Sequence, residues 1–359
     1  MIPLFRPSCT DAEIAAVTAA LRSGWWGEGP RVAEFETRFA EKVGAKHAVA
    51  VSSCTAALQL ACEALEVAGG EVIVPALTFA STALAVIHAG AVPVFADVDD
   101  ETLCLDWEDV KAKAGPDTRA VIPVHFGGTV TRPPFLWLDP VIEDCAHAAG
   151  SAGAGKQGST AACWSFQAVK NLACGDGGMI TTDDDRIAAR ARNLRWCGIE
   201  RSTWERQTRA GYNWDYDITA AGHKAQMTDM AAAAGLAQLE RLDAMNEARR
   251  DLVQRYLHRL EGVPGIRRPL WRPDSAWHLF YIRVPAADRD ALISHLLARG
   301  ISAGVHYKPL TLHRAFAPYR APLPVTDRAW LELVTLPLYP DMTQAEQEQV
   351  IAAVREFAP

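Results

Sequence analysis

The stretch VIVPALTFASTALAVIHAGAVPVFA, residues 72–96, decides the fold. It runs 25 residues without Asp, Glu, Lys or Arg, long enough to cross a bilayer as a helix. Pro75, Gly90 and Pro93 argue against that, because prolines lack the amide a helix interior needs and glycine punctuates elements. They divide the stretch into strand, helix and strand. Parallel strands buried on both faces read as continuous apolar runs without alternation. An α/β sheet is therefore expected here, and no membrane partner.

The same pattern extends in both directions. Short β-rich runs occur at 48–53 (AVAVSS), 71–75 (EVIVP), 92–98 (VPVFADV), 120–126 (AVIPVHF), 140–144 (PVIED), 161–166 (AACWSF) and 178–183 (GMITTD). Helix-compatible stretches such as TAALQLACEALEVA and STALAVIHAG separate most of them. The alternation predicts a mainly parallel seven-stranded sheet covered by helices. It falters at 129–139, TVTRPPFLWLD, where two prolines leave little room for a crossover helix. Part of the sheet's outer cover is then missing or supplied by another subunit. Beyond residue 183 the pattern turns helical, with one long helix expected within 227–260. A strand-like WHLFYIRVP and two helices complete a smaller α+β unit. The expected division is a large domain at 1–240 and a small one at 241–359.

Composition narrows the function. With 49% hydrophobic and 22% charged residues the 359-residue chain has the balance of a globular protein. A net charge of -7 argues against neutralising phosphate backbones, so no nucleic acid is expected. The eight cysteines show no CxxC pair or metal-ligand spacing. That points to reduced thiols in the cytoplasm and to no metal site, and the N-terminus lacks the features of a signal peptide.

In a parallel sheet, ligands bind beyond the carboxyl ends of the strands. Those ends carry Ser52 to Thr55, Thr78, Phe79, His125, Asp144, His147, and Ser165 through Lys170. A lysine, a carboxylate and a hydroxyl-rich helix entrance on neighbouring strand ends match the needs of pyridoxal 5'-phosphate. The amine forms a Schiff base, the carboxylate keeps the ring nitrogen protonated, and helix N-termini cradle the phosphate.

At these residues the chain resembles the DegT/DnrJ/StrS sugar aminotransferases, enzymes of the aspartate aminotransferase fold, type I. The likeness runs through SGWWGEGPRVAEFE (23–36), VSSCTAALQL (51–60), VIEDCAHAAGS (141–151), SFQAVKNLACGDGGMITTD (165–183) and GHKAQMTDMAAAAGLAQLERL (222–242), and reaches VHYKPL (305–310). It implies that Lys170 holds the cofactor as an internal aldimine and, once displaced, moves the substrate proton. Asp144 pairs with the ring nitrogen and His147 contacts the ring hydroxyl. Ser53, Cys54, Thr55 and Ser165 are the implied phosphate ligands, and Phe79 the stacking platform. Thr55 read alone is an ordinary helix N-cap. Lys224 and Gln226 fall where the family supplies contacts from a partner subunit, so a homodimer is implied. His306 and Tyr307 are candidate substrate contacts, and 195–216 is a candidate closing loop.

The implied reaction is ping-pong amino transfer between pyridoxal and pyridoxamine forms. An amino acid, L-glutamate or alternatively glutamine, is the donor, and a keto sugar, nucleotide-linked, is the acceptor. Ser53 and Cys54 depart from the Asn-Gly or Gly-rich pair frequent in the family, which leaves the backbone part of the phosphate site intact. A dehydratase or lyase on a similar sugar is an alternative, although such relatives are expected to replace the lysine with histidine. A cofactor-binding sensor without turnover is another. GSAGAGKQ (150–157) nearly matches the phosphate loop of nucleotide hydrolases, with Gln157 in place of the magnesium-binding hydroxyl.

Overall fold

The computed structural model describes residues 1–134, 140–156, 158–200, 203–204 and 215–357. Among them, seven strands form the central sheet: β1 (His47–Val51), β2 (Glu71–Pro75), β3 (Val92–Ala96), β4 (Thr118–Val121), β5 (Ile142–Asp144), β6 (Ala161–Ser165) and β7 (Gly178–Thr182). β2 pairs in parallel with β3 and β4, and β5 with β6. Parallel bridges from Val121 to Val141 and from Val124 to Asp144 join the two halves. The spatial order is therefore β3, β2, β4, β5, β6, β7, β1, with β7 antiparallel to both neighbours. This is the mainly parallel α/β sheet expected.

The stretch at 72–96 folds as β2, a helix (Ser81–His88) and β3. Among the described residues no helix is long and apolar enough to cross a membrane. The run at 120–126 is not one strand. Pro123 cannot donate to a ladder, β4 stops at Val121, and a 3-10 turn forms at Phe126–Gly128. The link from β4 to β5 has no helix over 129–134, and 135–139 lie outside the described residues.

Helices cover both faces. α1 (Asp11–Arg22) starts from a Thr10–Glu13 capping box, and α2 (Pro30–Val43) carries proline at its first turn. α3 (Cys54–Ala64) and α4 (Ser81–His88) lie on one face with Val49, Val51, Val72, Val74 and Ile180. Because successive strand residues point to opposite faces, Ala48 and Ala50 face the other layer. There Phe35 and Phe39 of α2 meet Trp164 and Phe166, with Phe39 and Trp164 ring centres 5.3 Å apart. α5 (Trp107–Lys113) and α6 (Asp185–Arg195) complete the large unit, each entered through an aspartate N-cap.

α7 (Asp229–Arg259) is the long helix expected within 227–260. Its first half packs Leu236, Leu239 and Leu242 on the sheet layer. Its second half sends Leu252, Val253 and Tyr256 into a separate core. That core gathers β8 (Phe280–Arg283), α8 (Arg289–Ala298), β9 (Leu333–Leu336) and α10 (Gln344–Phe357), together with Ile2 from the N-terminus. Residue 240 thus falls inside one continuous helix that serves both cores.

Two aspartates after β3 hold the C-terminal unit in place. Asp97 is buried and caps α9 (Pro324–Glu332) from outside that helix, accepting the Val325 amide at 2.9 Å and the Thr326 amide at 2.8 Å. Asp100 collects Arg267, Arg283 and Arg328 within 2.9 Å. Those guanidiniums keep its carboxyl far below the usual carboxylate range even against the cost of burial. β9 leaves α9 directly, and so this dock sets where residues 304–307 lie beside Thr335.

Candidate active site

A cleft of about 470 Å³ opens beyond the carboxyl ends of β2, β5 and β6. Lys170, Asp144 and His147 line it, and so do Ser53, Cys54, Thr55, Phe79, Ser165, His306 and Tyr307. The fold thus gathers ten sequence-predicted residues in one place.

Lys170 sits on a turn closed by its own amide donating to the Gln167 carbonyl at 2.8 Å. Among the described residues its amine has no hydrogen bond or ion pair. Burial pulls its pKa down to about 8, and the Cys54 thiol and Asp144 carboxylate act in the opposite direction. An ordinary lysine titrates near 10.4. An amine so depressed is a better nucleophile and proton carrier at neutral pH.

The glycines that follow let β7 approach. Gly175 has φ +93, open to a residue without Cβ. A Cβ at Gly178 would stand 2.5 Å from the Ser53 carbonyl. The sideless turn is what brings the entrance of α3 against β7, beside the lysine.

Asp144 ends β5, buried, while its neighbour Glu143 points the other way. The Asp144 carboxylate accepts from the Thr82 hydroxyl at 2.8 Å and the Ala146 amide at 3.1 Å. Thr82 is in turn bonded to Thr78 at 2.9 Å. Burial pushes the Asp144 carboxyl above its usual range, opposed by the Ala146 amide, the Thr82 hydroxyl and Lys170. A desolvated carboxylate of this kind gains from a cationic partner in the cleft. On the far side, Glu143 accepts from His125 at 2.8 Å and the Gly155 amide at 2.6 Å, which anchors the loop behind β5.

His147 is buried, and its Nδ1 accepts the Gly127 amide at 3.2 Å. Its Nε2 lies 3.1 Å from the Tyr307 hydroxyl. Burial, then Lys170, lowers its pKa well below the usual imidazole range, so it is neutral at pH 7. His306 is anchored by Thr335 at 2.9 Å, its pKa lowered to about 4 by burial and Lys170. The pair is not part of a strand; residues 306 and 307 enter the cleft as loop.

At the opposite end, the N-cap of α3 is Ser53, whose hydroxyl accepts the Ala56 amide at 3.2 Å. This corrects the reading of Thr55 as cap. Thr55 lies in the first turn, its hydroxyl 2.6 Å from that of Ser81. The first amides of a helix lack intrahelical partners, and with the helix dipole they form an anion site. The Cys54 thiol points away, 3.6 Å from the Cys163 carbonyl, and burial keeps it protonated. Phe79 is 62% exposed at the cleft mouth, its ring centre 6.3 Å from that of Tyr307.

Two candidate residues lie elsewhere. Lys224 rests 3.8 Å from the centre of the Trp196 ring and bonds Gln226, which reaches Glu28; neither lines the cleft of its own chain. Of the proposed closing loop, 201–202 and 205–214 lie outside the described residues. Arg195 is no loop residue: it ends α6, buried, paired with Glu28 at 2.6 Å and with Glu36. The glycine-rich stretch at 150–156 leads into β6 rather than a helix. Its Ser151 hydroxyl donates to the Gly128 carbonyl at 2.7 Å and accepts the Ala276 amide at 2.9 Å, so it acts as a joint.

Sequence reasoning missed Thr82, Ser81 and Asp176, all at or beside the cleft. Thr78 and Thr82 are four apart in a run without Asp, Glu, Lys or Arg. That spacing was the available signal.

The donor set fits pyridoxal phosphate: an unpaired amine, a buried carboxylate short of a cation, a helix entrance and an aromatic lid. Known proteins agree. Residues 7–355 match the DegT/DnrJ/EryC1/StrS aminotransferase family. The chain is 40% identical to the Bacillus subtilis (strain 168) spore coat polysaccharide biosynthesis protein SpsC, covering 99% of this chain and 97% of that protein. The aminotransferase TlmJ from Streptoalloteichus hindustanus superposes with a TM-score of 0.90 at 36% identity, over 99% of this chain and 98% of its own. S. venezuelae DesV, solved in complex with a ketimine intermediate, gives 0.87 at 36% identity, over 96% and 94%. The chain belongs to the DegT/DnrJ/EryC1/StrS aminotransferase family and is a pyridoxal phosphate-dependent sugar aminotransferase of fold type I.

Proposed function

We propose that this enzyme moves an amino group from L-glutamate to the keto group of a nucleotide-linked sugar, in two half-reactions at one cleft. The observation that carries this is the unpaired, depressed amine of Lys170 in the same cleft as the buried Asp144. When bound, pyridoxal phosphate supplies the electron sink for proton loss at the substrate carbon. Lys170 attaches it and, once released, carries the proton in both halves. Asp144, held by Thr82 and Ala146, keeps the ring nitrogen charged. Ser53, Cys54 and Thr55, with Ser165, hold the phosphate, the Cys54 share coming from its amide. Phe79 covers the ring.

The same proposal includes a cytoplasmic homodimer in which Lys224 and Gln226 reach the partner's cleft. Two observations support it: these side chains stand outside their own cleft, and the eight cysteines are unpaired. The division of the chain into 1–240 and 241–359 also belongs to it, supported by the separate core around β8 and β9.

The test is spectroscopic. Adding L-glutamate to the cofactor-loaded protein should replace a band at about 420 nm with one at about 330 nm and release one 2-oxoglutarate per site. A spectrum unchanged by glutamate and by glutamine would refute amino transfer from these donors and favour a lyase or sensor.

A further inference from the structure

The hydrogen-bond chain behind the cleft fixes the direction of one proton. The Gly127 amide can only donate, so His147 Nδ1, 3.2 Å away, is an acceptor. A neutral imidazole accepting at Nδ1 carries its proton at Nε2. Nε2 therefore donates to the Tyr307 oxygen at 3.1 Å. The Tyr307 proton must then turn elsewhere, and no acceptor for it stands among the described residues. Tyr307 lines the cleft together with Asp144 and Lys170.

The tyrosine ring is held from several sides. It stacks on His147 at 6.2 Å and 18°, and it meets Phe126 edge-on at 6.5 Å and His306 at 4.8 Å. The hydroxyl is thus a preoriented donor on a rigid side chain. Burial also keeps the phenol protonated throughout the physiological range.

We propose that Tyr307 donates a hydrogen bond to an acceptor oxygen bound in the cleft, with His147 behind it as a positioning residue rather than the contact itself. The acceptor belongs either to the ring hydroxyl of the cofactor or to a carboxylate of the amino donor. This rests on the reading of the cleft as the pyridoxal phosphate site.

The experiment compares wild type and Tyr307→Phe, which keeps the ring contacts. Apoprotein of each is titrated with pyridoxal phosphate and with its 3-deoxy analogue, and the glutamate dependence of the half-reaction is then measured. If the acceptor is the ring oxygen, wild type prefers pyridoxal phosphate to the analogue by about tenfold more than Tyr307→Phe does. If it is a donor carboxylate, cofactor affinity is unchanged and the glutamate concentration for half-maximal rate rises about tenfold. Either result supports the proposal; changes under twofold in both overturn it. His147→Leu should weaken the same quantity, add little in the Tyr307→Phe background, and be largely rescued by His147→Gln, which keeps an N–H donor. Additive losses would overturn the positioning role. A wild-type protein that takes up no pyridoxal phosphate overturns the underlying reading, and this inference with it.

Discussion

Lys170→Ala should lose amino transfer by on the order of 10⁴-fold, because in the proposed reaction one side chain supplies both the attachment point and the proton carrier. The loss should appear in single-turnover rates with pre-formed pyridoxamine phosphate as well as in steady state. The fold should survive. The amine has no partner among the described residues and is desolvated, so its removal deletes no hydrogen bond and relieves a buried charge. A melting temperature within a few degrees of wild type is expected, and a variant with full turnover would refute the assignment. The apoprotein offers an independent check. Acetylation of Lys170, followed by peptide mass, should rise with pH to half its maximum at about 8, whereas exposed lysines continue to rise toward about 10.4.

Asp144→Asn should reduce turnover by about 10²- to 10³-fold while leaving the apoprotein as stable as wild type or more so. The two halves of this expectation come from one cause. The folded carboxyl is raised above its unfolded value, so ionising it costs folding free energy, and the cost grows as pH rises from the unfolded pKa through the folded one. Asparagine removes that cost at neutral pH and can still meet the Ala146 amide and Thr82. With the cofactor bound the sign reverses, since only the carboxylate holds a charged ring nitrogen. Thermal melts with and without pyridoxal phosphate should show a smaller cofactor-induced gain in Asp144→Asn. An equal gain would remove Asp144 from the ring.

The sheet was legible because strands buried on both faces announce themselves as unbroken apolar runs, and Lys170 and Asp144 were singled out because one stands just past such a run and the other closes one. The reversed direction of β7 was less visible. The span 166–177 between β6 and β7 holds no helix, and a parallel crossover needs one, so the information was present but local patterns hid it. Thr55 was misread because Ser53 and Thr55 are both of types that cap helices. The bond from the Ala56 amide to the Ser53 hydroxyl identifies the helix start. Tyr307 and His147 are 160 residues apart in sequence. Their meeting depends on the Asp97 and Asp100 dock, which joins residues more than 160 apart. Contacts of that separation leave no periodic trace in a single chain.

The central claim is a bond between one amine and one aldehyde. Borohydride reduction of the protein loaded with pyridoxal phosphate, followed by digestion and peptide mass analysis, tests it most directly. The expected result is a stable phosphopyridoxyl increment on the peptide containing Lys170 and on no other. An increment on a different lysine, or none on a protein that has visibly bound the cofactor, would contradict it.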